Sequence, residues 1–356
     1  MRILLINKPY YPVPPTHYGG VERIVDALAR GLKARGHQVT LLARIDSTCP
    51  VGVVPWRTEE SHSPIGRARS ALEVIETIAP ESFDLVHCHA AVSAVFLAAL
   101  RGVPVVTTFH LPITMRTLRY VRVLGKSRMF FTAPSRTMIS AARAEREVEY
   151  IPNFVEIDRF QFRATVSEDA PIVMMGRIDM EKGVHFGIEA ARKAGRKLII
   201  AGTIDPGSVR YFDRYVRPHI DNEKVRYVGP VDDRQKAKLL GAAAAFLLPA
   251  QWEEPFGIVM VEAMACGTPV IGFRRGEIPG IIVHGRTGFV AGDVDEMAVQ
   301  IGRIGAIDRA QCRKEVERNY SSDLVIDRYI ACYYSALANV ARASASEEVV
   351  SGPSGG

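Results

Sequence analysis

One pattern constrains this chain most. Short, nearly continuous apolar runs alternate with amphipathic helical stretches, and the series occurs twice. In the first half the runs are Arg2–Asn7, Gln38–Ala43, Asp84–His87, Pro104–Phe109, Met129–Ala133 and Val148–Ile151. In the second they are Pro171–Met175, Lys197–Ala201, Val225–Val228, Ala245–Leu248 and Pro269–Phe273. Strands that are apolar throughout are buried on both faces, which means a parallel sheet covered by helices. Between the first two runs, Val21, Ile24, Val25, Leu28 and Leu32 form one helical stripe, and Gly36 follows where a helix ends. A polar, aperiodic stretch, Asp158–Pro171, separates the two series. The expectation is an α/β protein of two doubly wound, Rossmann-like domains facing across a cleft, residues 1–163 and 166–320. Ligands of such sheets bind outside the carboxyl ends of the strands. Residues 343–356, rich in Ser, Gly and Glu, read as a disordered tail.

Composition narrows the class. With 47% apolar and 24% charged residues, the chain is neither disordered, collagen-like nor coiled-coil. Its 5 cysteines are scattered without a CxxC pair, which argues against a disulfide framework or a structural zinc site. The stretch Ala90–Leu100 is too short to span a bilayer, which takes about 20 residues. The start, MRILLINKPYYP, reads as a buried strand rather than a signal peptide. A reducing, cytoplasmic setting is expected. Residues 1–165 hold 21 Lys/Arg and 14 Asp/Glu, a net of +7, and the remainder nets −1, which together give the chain's +6. The basic first half suits an acidic partner, or is simply an arginine-rich soluble face.

Five segments carry candidate chemistry. Glu254 and Glu262 stand eight residues apart around Gly257, near the start of an apolar helix. Eight helical residues span about 12 Å, beyond the roughly 5–9.5 Å of a glycosidase carboxylate pair. The two suit separate hydroxyl-rich parts of an extended ligand, with free helix N–H groups between them, or are a surface acid and a capping acid. Arg177 and Lys182, in Gly176-Arg-Ile-Asp-Met-Glu-Lys-Gly183, follow a strand directly. A planar fork and a point charge suit a diphosphate, unless Asp179 and Glu181 absorb them in a solvated cluster. Gly19 and Gly20, after Pro14-Pro15-Thr16-His17-Tyr18, allow backbone amides to approach a phosphate or sugar. Neither GxGxxG nor GxxxxGK[ST] is present. His110 ends Thr107-Thr-Phe-His and faces the expected cleft, to donate to a sugar hydroxyl or handle a proton, or merely caps the strand. His87 and His89 share a strand face but lack a local carboxylate, a poor metal set. The basic stretch Met115–Phe130 places Arg116, Arg119, Arg122 and Lys126 within about 120° of helical arc. It suits anionic lipid or a phosphate-bearing acceptor, or is a solvated helix. Nucleic acid is disfavoured because stacking aromatics are not interleaved with it. Asp293-Val-Asp295 is read with Glu296 as a helix cap rather than a metal site, so no catalytic metal is expected.

Together these segments resemble the retaining nucleotide-sugar glycosyltransferases of glycosyltransferase family 4, which share the GT-B fold. The resemblance runs from Met1 to about Ala341. It rests on Gly19-Gly20-Val-Glu-Arg, Thr-Phe-His110, Ile151-Pro-Asn153, Gly176-Arg177 with Lys182-Gly183, and Glu254-x7-Glu262 followed by Ala263-Met-Ala-Cys-Gly-Thr-Pro269. It implies that Arg177 and Lys182 hold the donor diphosphate and stabilise the leaving nucleotide. It implies that Glu262 accepts from the ribose, and that Glu254 with the amides of Phe256, Gly257 and Ile258 holds the transferred sugar. Gly19 and Gly20 would approach the phosphates, and His110 would meet the sugar near its reacting face. The last helix, about 322–341, would return to the first domain. The implied reaction is retaining, metal-independent hexosyl transfer without a cofactor. A UDP-sugar comes first as donor and GDP-mannose second. The acceptor is a hydroxyl of undefined class, anionic or lipid-linked, bound with or without peripheral membrane contact by Lys8, His17, Tyr18, Arg116, Arg119, Arg122 and Lys126. A sugar-nucleotide epimerase of the same fold, or a non-catalytic sugar-nucleotide binder, are the other readings of these residues. Two departures stand out: Phe154 follows Asn153, and Arg275-Gly-Glu-Ile-Pro-Gly280 replaces the commoner Gly-Gly-x-Pro-Glu.

Overall fold

The computed structural model describes residues 1–16, 19–57, 63–78, 83–89, 102–114, 117, 119, 123 and 128–350, with the side chains of all but 64, 67, 68, 71 and 344–350. The chain divides into two compact units. The first comprises Met1–Pro15, Gly19–Ile151 and the chain from Val325 onward; the second comprises Thr16–Tyr18 and Pro152–Leu324.

The first unit holds seven parallel strands: β1 Arg2–Ile6, β2 Gln38–Ala43, β3 Gly52–Pro55, β4 Leu85–Cys88, β5 Val105–Thr108, β6 Met129–Ala133 and β7 Val148–Tyr150. Their order is β3-β2-β1-β4-β5-β6-β7. The order reverses between β1 and β4, so Asn7, Lys8 and His89 leave the sheet at the point where such folds bind ligands. The helix Gly20–Ala34 buries Ile24, Val25, Leu28 and Leu32 as one stripe, and Gly36 ends it with a positive φ of 81°. β3 is not among the apolar runs read from sequence, because Gly-Val-Val-Pro is a half-exposed edge strand.

The second unit holds six parallel strands: β8 Ile172–Met175, β9 Leu198–Ala201, β10 Val225–Tyr227, β11 Ala245–Leu248, β12 Val270–Phe273 and β13 Gly288–Ala291. Their order is β10-β9-β8-β11-β12-β13, with the reversal between β8 and β11. β13 also goes beyond the runs read from sequence: Gly-Phe-Val-Ala opens on a glycine and holds only two large apolar side chains, a weaker apolar run than its neighbours.

Two expected boundaries move. The units divide at Ile151/Pro152 rather than within 158–171. Val155 N donates to Tyr320 O at 3.0 Å and Phe160 enters the second unit's core, so these residues are already tied to that unit. The last helix spans Ser322–Val350, beyond the expected end near Ala341 and into the tail read as disordered. Nothing in Ala343–Val350 breaks a helix; Gly352 and Pro353 come only afterwards. This helix buries Val325, Ile326, Tyr329, Tyr333 and Ala336. Ile326 packs so closely on Gly31 that a Cβ there would lie 2.2 Å from it, and Arg35 pairs with Asp327 at 2.7 Å. Burying each tyrosine contributes on the order of 2 kcal/mol.

Candidate active site

In the second unit the site grows from the β8/β11 reversal. Gly176 and Arg177 follow β8 directly. Asp179 then accepts from the Lys182 backbone N–H at 2.9 Å, a local turn that orients Lys182. Gly183 has a φ of 65° and opens the helix Val184–Lys193. A Cβ on Gly183 would lie 2.2 Å from the Pro249 carbonyl oxygen, and Gln251 N donates to Glu181 O at 2.7 Å. The loops after β8 and β11 are therefore laid against each other by backbone contact. That contact brings Lys182 Nζ to 2.5 Å from Glu254 Oε2. Trp252 Nε1 donates to the same oxygen at 2.9 Å, and Lys182 Nζ lies 5.1 Å from the Trp252 ring centroid. The two charged side chains are only 16% and 7% exposed. A paired charge at such burial is strong only because its partners are fixed.

Glu254 is not on the helix. Pro255 disfavours helical backbone before it, and the helix runs only over Ile258–Ala265. The 12 Å expected for two residues on one helix therefore does not describe this pair. Gly257, with φ 74°, opens the helix without a side-chain cap, so its first N–H groups remain to be satisfied from outside the helix. Glu262 projects from this helix and is 3% exposed. Its Oε1 accepts from Lys236 Nζ, which also lies 3.4 Å from Asp233 Oδ1. Its Oε2 is buried without a hydrogen-bond partner among the described residues. A buried acceptor of this kind is costly unless a donor arrives. Arg177 pairs with Asp179 at 3.2 Å and Glu181 at 2.9 Å. The charge pairs envisaged as an alternative thus form around Arg177, with Asp179 buried rather than solvated, while Lys182 turns to Glu254.

The divergent loop Arg275–Gly280 sits on this segment. Gly276 N donates to Glu253 Oε2 at 2.6 Å and Glu277 N to Glu254 O at 2.9 Å. Gly276 has φ 52°, and a Cβ there would lie 2.2 Å from the Glu254 carbonyl oxygen. Sequence reasoning missed Trp252 and Lys236. Trp252, one of two tryptophans, stands two residues before Glu254, which was a usable signal; nothing in the sequence marks Lys236.

In the first unit, Gly19 precedes the helix Gly20–Ala34 with φ 147°, packed against Pro15 and the Glu22 carboxylate. Burial raises the Glu22 carboxyl above its ordinary range. Lys8 Nζ lies 5.4 Å from the Tyr10 ring centroid. His110 Nε2 is 2.9 Å from His89 Nδ1. His87 is held on both nitrogens, by Tyr333 Oη and Thr108 Oγ1, each at 2.7 Å. Arg119 is exposed; His17, Tyr18, Arg116, Arg122 and Lys126 lie outside the described residues. Asp293 caps the helix Val294–Gly302 by accepting from Glu296 N at 2.8 Å. Glu296 reaches back to Gly292 N at 2.6 Å. Among the described residues, no three His, Cys, Asp or Glu side chains group as a metal site, and no helix is long and apolar enough to cross a membrane.

The histidines make the first unit acid-sensitive. Burial pushes His87 down to about 3 and His89 well below its ordinary range. Burial, then the Lys8 charge, pushes His110 down to about 4. The unfolded chain takes up these protons near pH 6.5 and the folded one does not. Stability is therefore full above about pH 6.5 and falls toward pH 4, by about 1.4 kcal/mol per pH unit for His87 alone. Calorimetry across this range should show the melting temperature falling, and more shallowly in His87→Asn. A flat profile in the parent protein would contradict this account.

Comparison with known proteins places this geometry. Residues 156–311 match the model of glycosyl transferases group 1, and residues 18–159 match that of glycosyltransferase family 4. Glycogen synthase of Mycobacterium tuberculosis is 28% identical over 348 residues, covering 81% of this chain and 81% of its own. Phosphatidyl-myo-inositol mannosyltransferase of the same organism is 26% identical over 373 residues, covering 95% and 92%. The structure of Anabaena HepE in complex with UDP-glucose superposes with a TM-score of 0.75 at 18% identity, covering 94% of this chain and 100% of that one. Two parallel-sheet units, the residues gathered at the β8/β11 reversal and these two matches, one over each part of the chain, together identify it as a glycosyltransferase of the GT-B fold that resembles group 1 in its second part and family 4 in its first.

Proposed function

We propose that this protein transfers a hexose from a nucleoside-diphosphate sugar to an acceptor hydroxyl, with retention at the anomeric carbon and without a metal. A UDP-sugar is the first donor to test and GDP-mannose the second. The observation that carries the reading is the Lys182–Glu254 pair at 2.5 Å beside an uncapped helix N-terminus. A cation, a carboxylate and free N–H groups match a phosphate, a sugar hydroxyl and a further oxygen. Arg177 and Lys182 are assigned to the diphosphate, where they stabilise the charge on the departing nucleotide. Glu254 and the amides of Phe256, Gly257 and Ile258 are assigned to the sugar. The unpartnered Oε2 of Glu262 is assigned to the ribose hydroxyls. In the first unit, Gly19 and Gly20 are assigned to the phosphates and His110 to the sugar.

The test is a thermal-shift panel of UDP, GDP, ADP and dTDP and their sugars in EDTA. Ligand at about 100-fold over its dissociation constant stabilises by about 2.7 kcal/mol. A shift with UDP and UDP-sugars is expected; a shift with GDP-mannose instead would move the donor assignment. Loss of all shifts in EDTA, restored by a divalent ion, would overturn metal independence. His110→Ala is expected to lower turnover about tenfold, the scale of one hydrogen bond made to the reacting group. Unchanged turnover would remove His110 from the site.

A further inference from the structure

His89 and His110 leave the ends of neighbouring strands, β4 and β5, and their rings stack at 5.2 Å between centroids. Their contact, His89 Nδ1 to His110 Nε2 at 2.9 Å, is a hydrogen bond between two imidazoles. Burial keeps both neutral at ordinary pH, so each ring carries one N–H and one lone pair. Two arrangements are then possible. If His110 donates from Nε2, His89 carries its own proton on Nε2, and that N–H is buried with nothing among the described residues to accept it. If His89 donates from Nδ1, its buried Nε2 is a bare lone pair, and His110 carries its proton on Nδ1. Orphaned N–H donors in protein interiors are rarer than under-satisfied acceptors. His87 packs 4.1 Å from the His89 ring, itself fixed by Tyr333 and Thr108, so His89 has a rigid backing.

We propose that His89 is a positioning residue that fixes the tautomer of His110, so that His110 presents Nδ1–H as a hydrogen-bond donor. Its use on a sugar oxygen rests on the role assigned to His110 above; the tautomer itself does not. In this form His110 donates to an oxygen and cannot accept a proton at Nδ1, so it stabilises and orients rather than acting as a base through that atom.

Long-range 1H–15N correlation on the full chain labelled with 15N-histidine reads the tautomers directly, without substrate. The 9 histidines are assigned by single substitutions. His110 is expected in the Nδ1–H form and His89 likewise; His110 in the Nε2–H form overturns the proposal. His89→Asn places an amide N–H where Nδ1 stood and should preserve the His110 pattern. His89→Leu removes the donor and should release His110 toward Nε2–H; an unchanged pattern in folded His89→Leu also overturns it. Should both variants fail to fold, the parent spectrum alone decides. If the tautomer is as expected but His110→Ala keeps full turnover, the role of His110 fails while the proposal stands.

Discussion

Lys182→Ala is expected to lower turnover by about 100-fold or more, the scale of removing one preorganised charge stabiliser from an enclosed site. Two losses coincide. On the role assigned to Lys182, the diphosphate loses a cation as it leaves, and among the described residues the Glu254 carboxylate, 7% exposed, keeps only the Trp252 N–H as side-chain partner. The second loss disturbs the group assigned to the transferred sugar, so the effect should fall on kcat as well as on donor binding. Lys182→Arg should not restore activity, because a planar fork does not fit a point contact of 2.5 Å held between two backbone-locked loops. Since Lys182 and Glu254 act as a unit, the double variant with Glu254→Ala should be little worse than the poorer single one. Steady-state kinetics with the donor found in the binding panel checks this. Turnover within threefold of the parent would remove Lys182 from the chemistry.

Arg309→Ala is expected to destabilise the second unit by about 4 kcal/mol, from several buried acceptors left unsatisfied at once. Arg309 is 7% exposed. It donates to the carbonyls of Arg163, Ala243 and Gly241 at 2.7, 2.9 and 3.1 Å and to Thr268 Oγ1 at 2.8 Å. It thereby ties the segment before β8, the end of the helix Asp233–Ala242 and the turn before β12 to the helix Arg309–Asn319. Lysine at this position offers fewer fixed donors and should recover only part of the loss. The unfolding midpoint of the second unit in urea is the measure. A shift corresponding to less than about 1 kcal/mol, the contribution of a single ordinary hydrogen bond, would contradict the cooperative role.

Much of the fold was legible because its signals are local. Ala245–Leu248 and Met129–Ala133 are apolar at every position and need no partner to be read as buried parallel strands. β3 and β13 were not legible, one being a half-exposed edge and the other opening on a glycine with only two large apolar side chains. The site was legible as a set of residue types near strand ends, but not as a set of pairs. Arg177 and Lys182 look equivalent in sequence; the structure gives one to Asp179 and Glu181 and the other to Glu254. Glu254 and Glu262 looked like two positions on one helix until Pro255 and Gly257 delayed its start.

The amino-acid sequence by itself determined two parallel-sheet units, the strand ends where ligands meet them, and the residue types available there. Apolar period, glycine placement and helix length act over a few residues and are written in the local chain. Only the tertiary structure decided which side chains meet. Lys182 finds Glu254 72 residues away, His87 finds Tyr333 246 residues away, and Lys236 finds Glu262 across 26. Such pairs depend on where loops are pressed together by backbone contacts such as Gly183 on Pro249. A contact of that kind is set by packing across the sheet and leaves no periodic trace in the sequence.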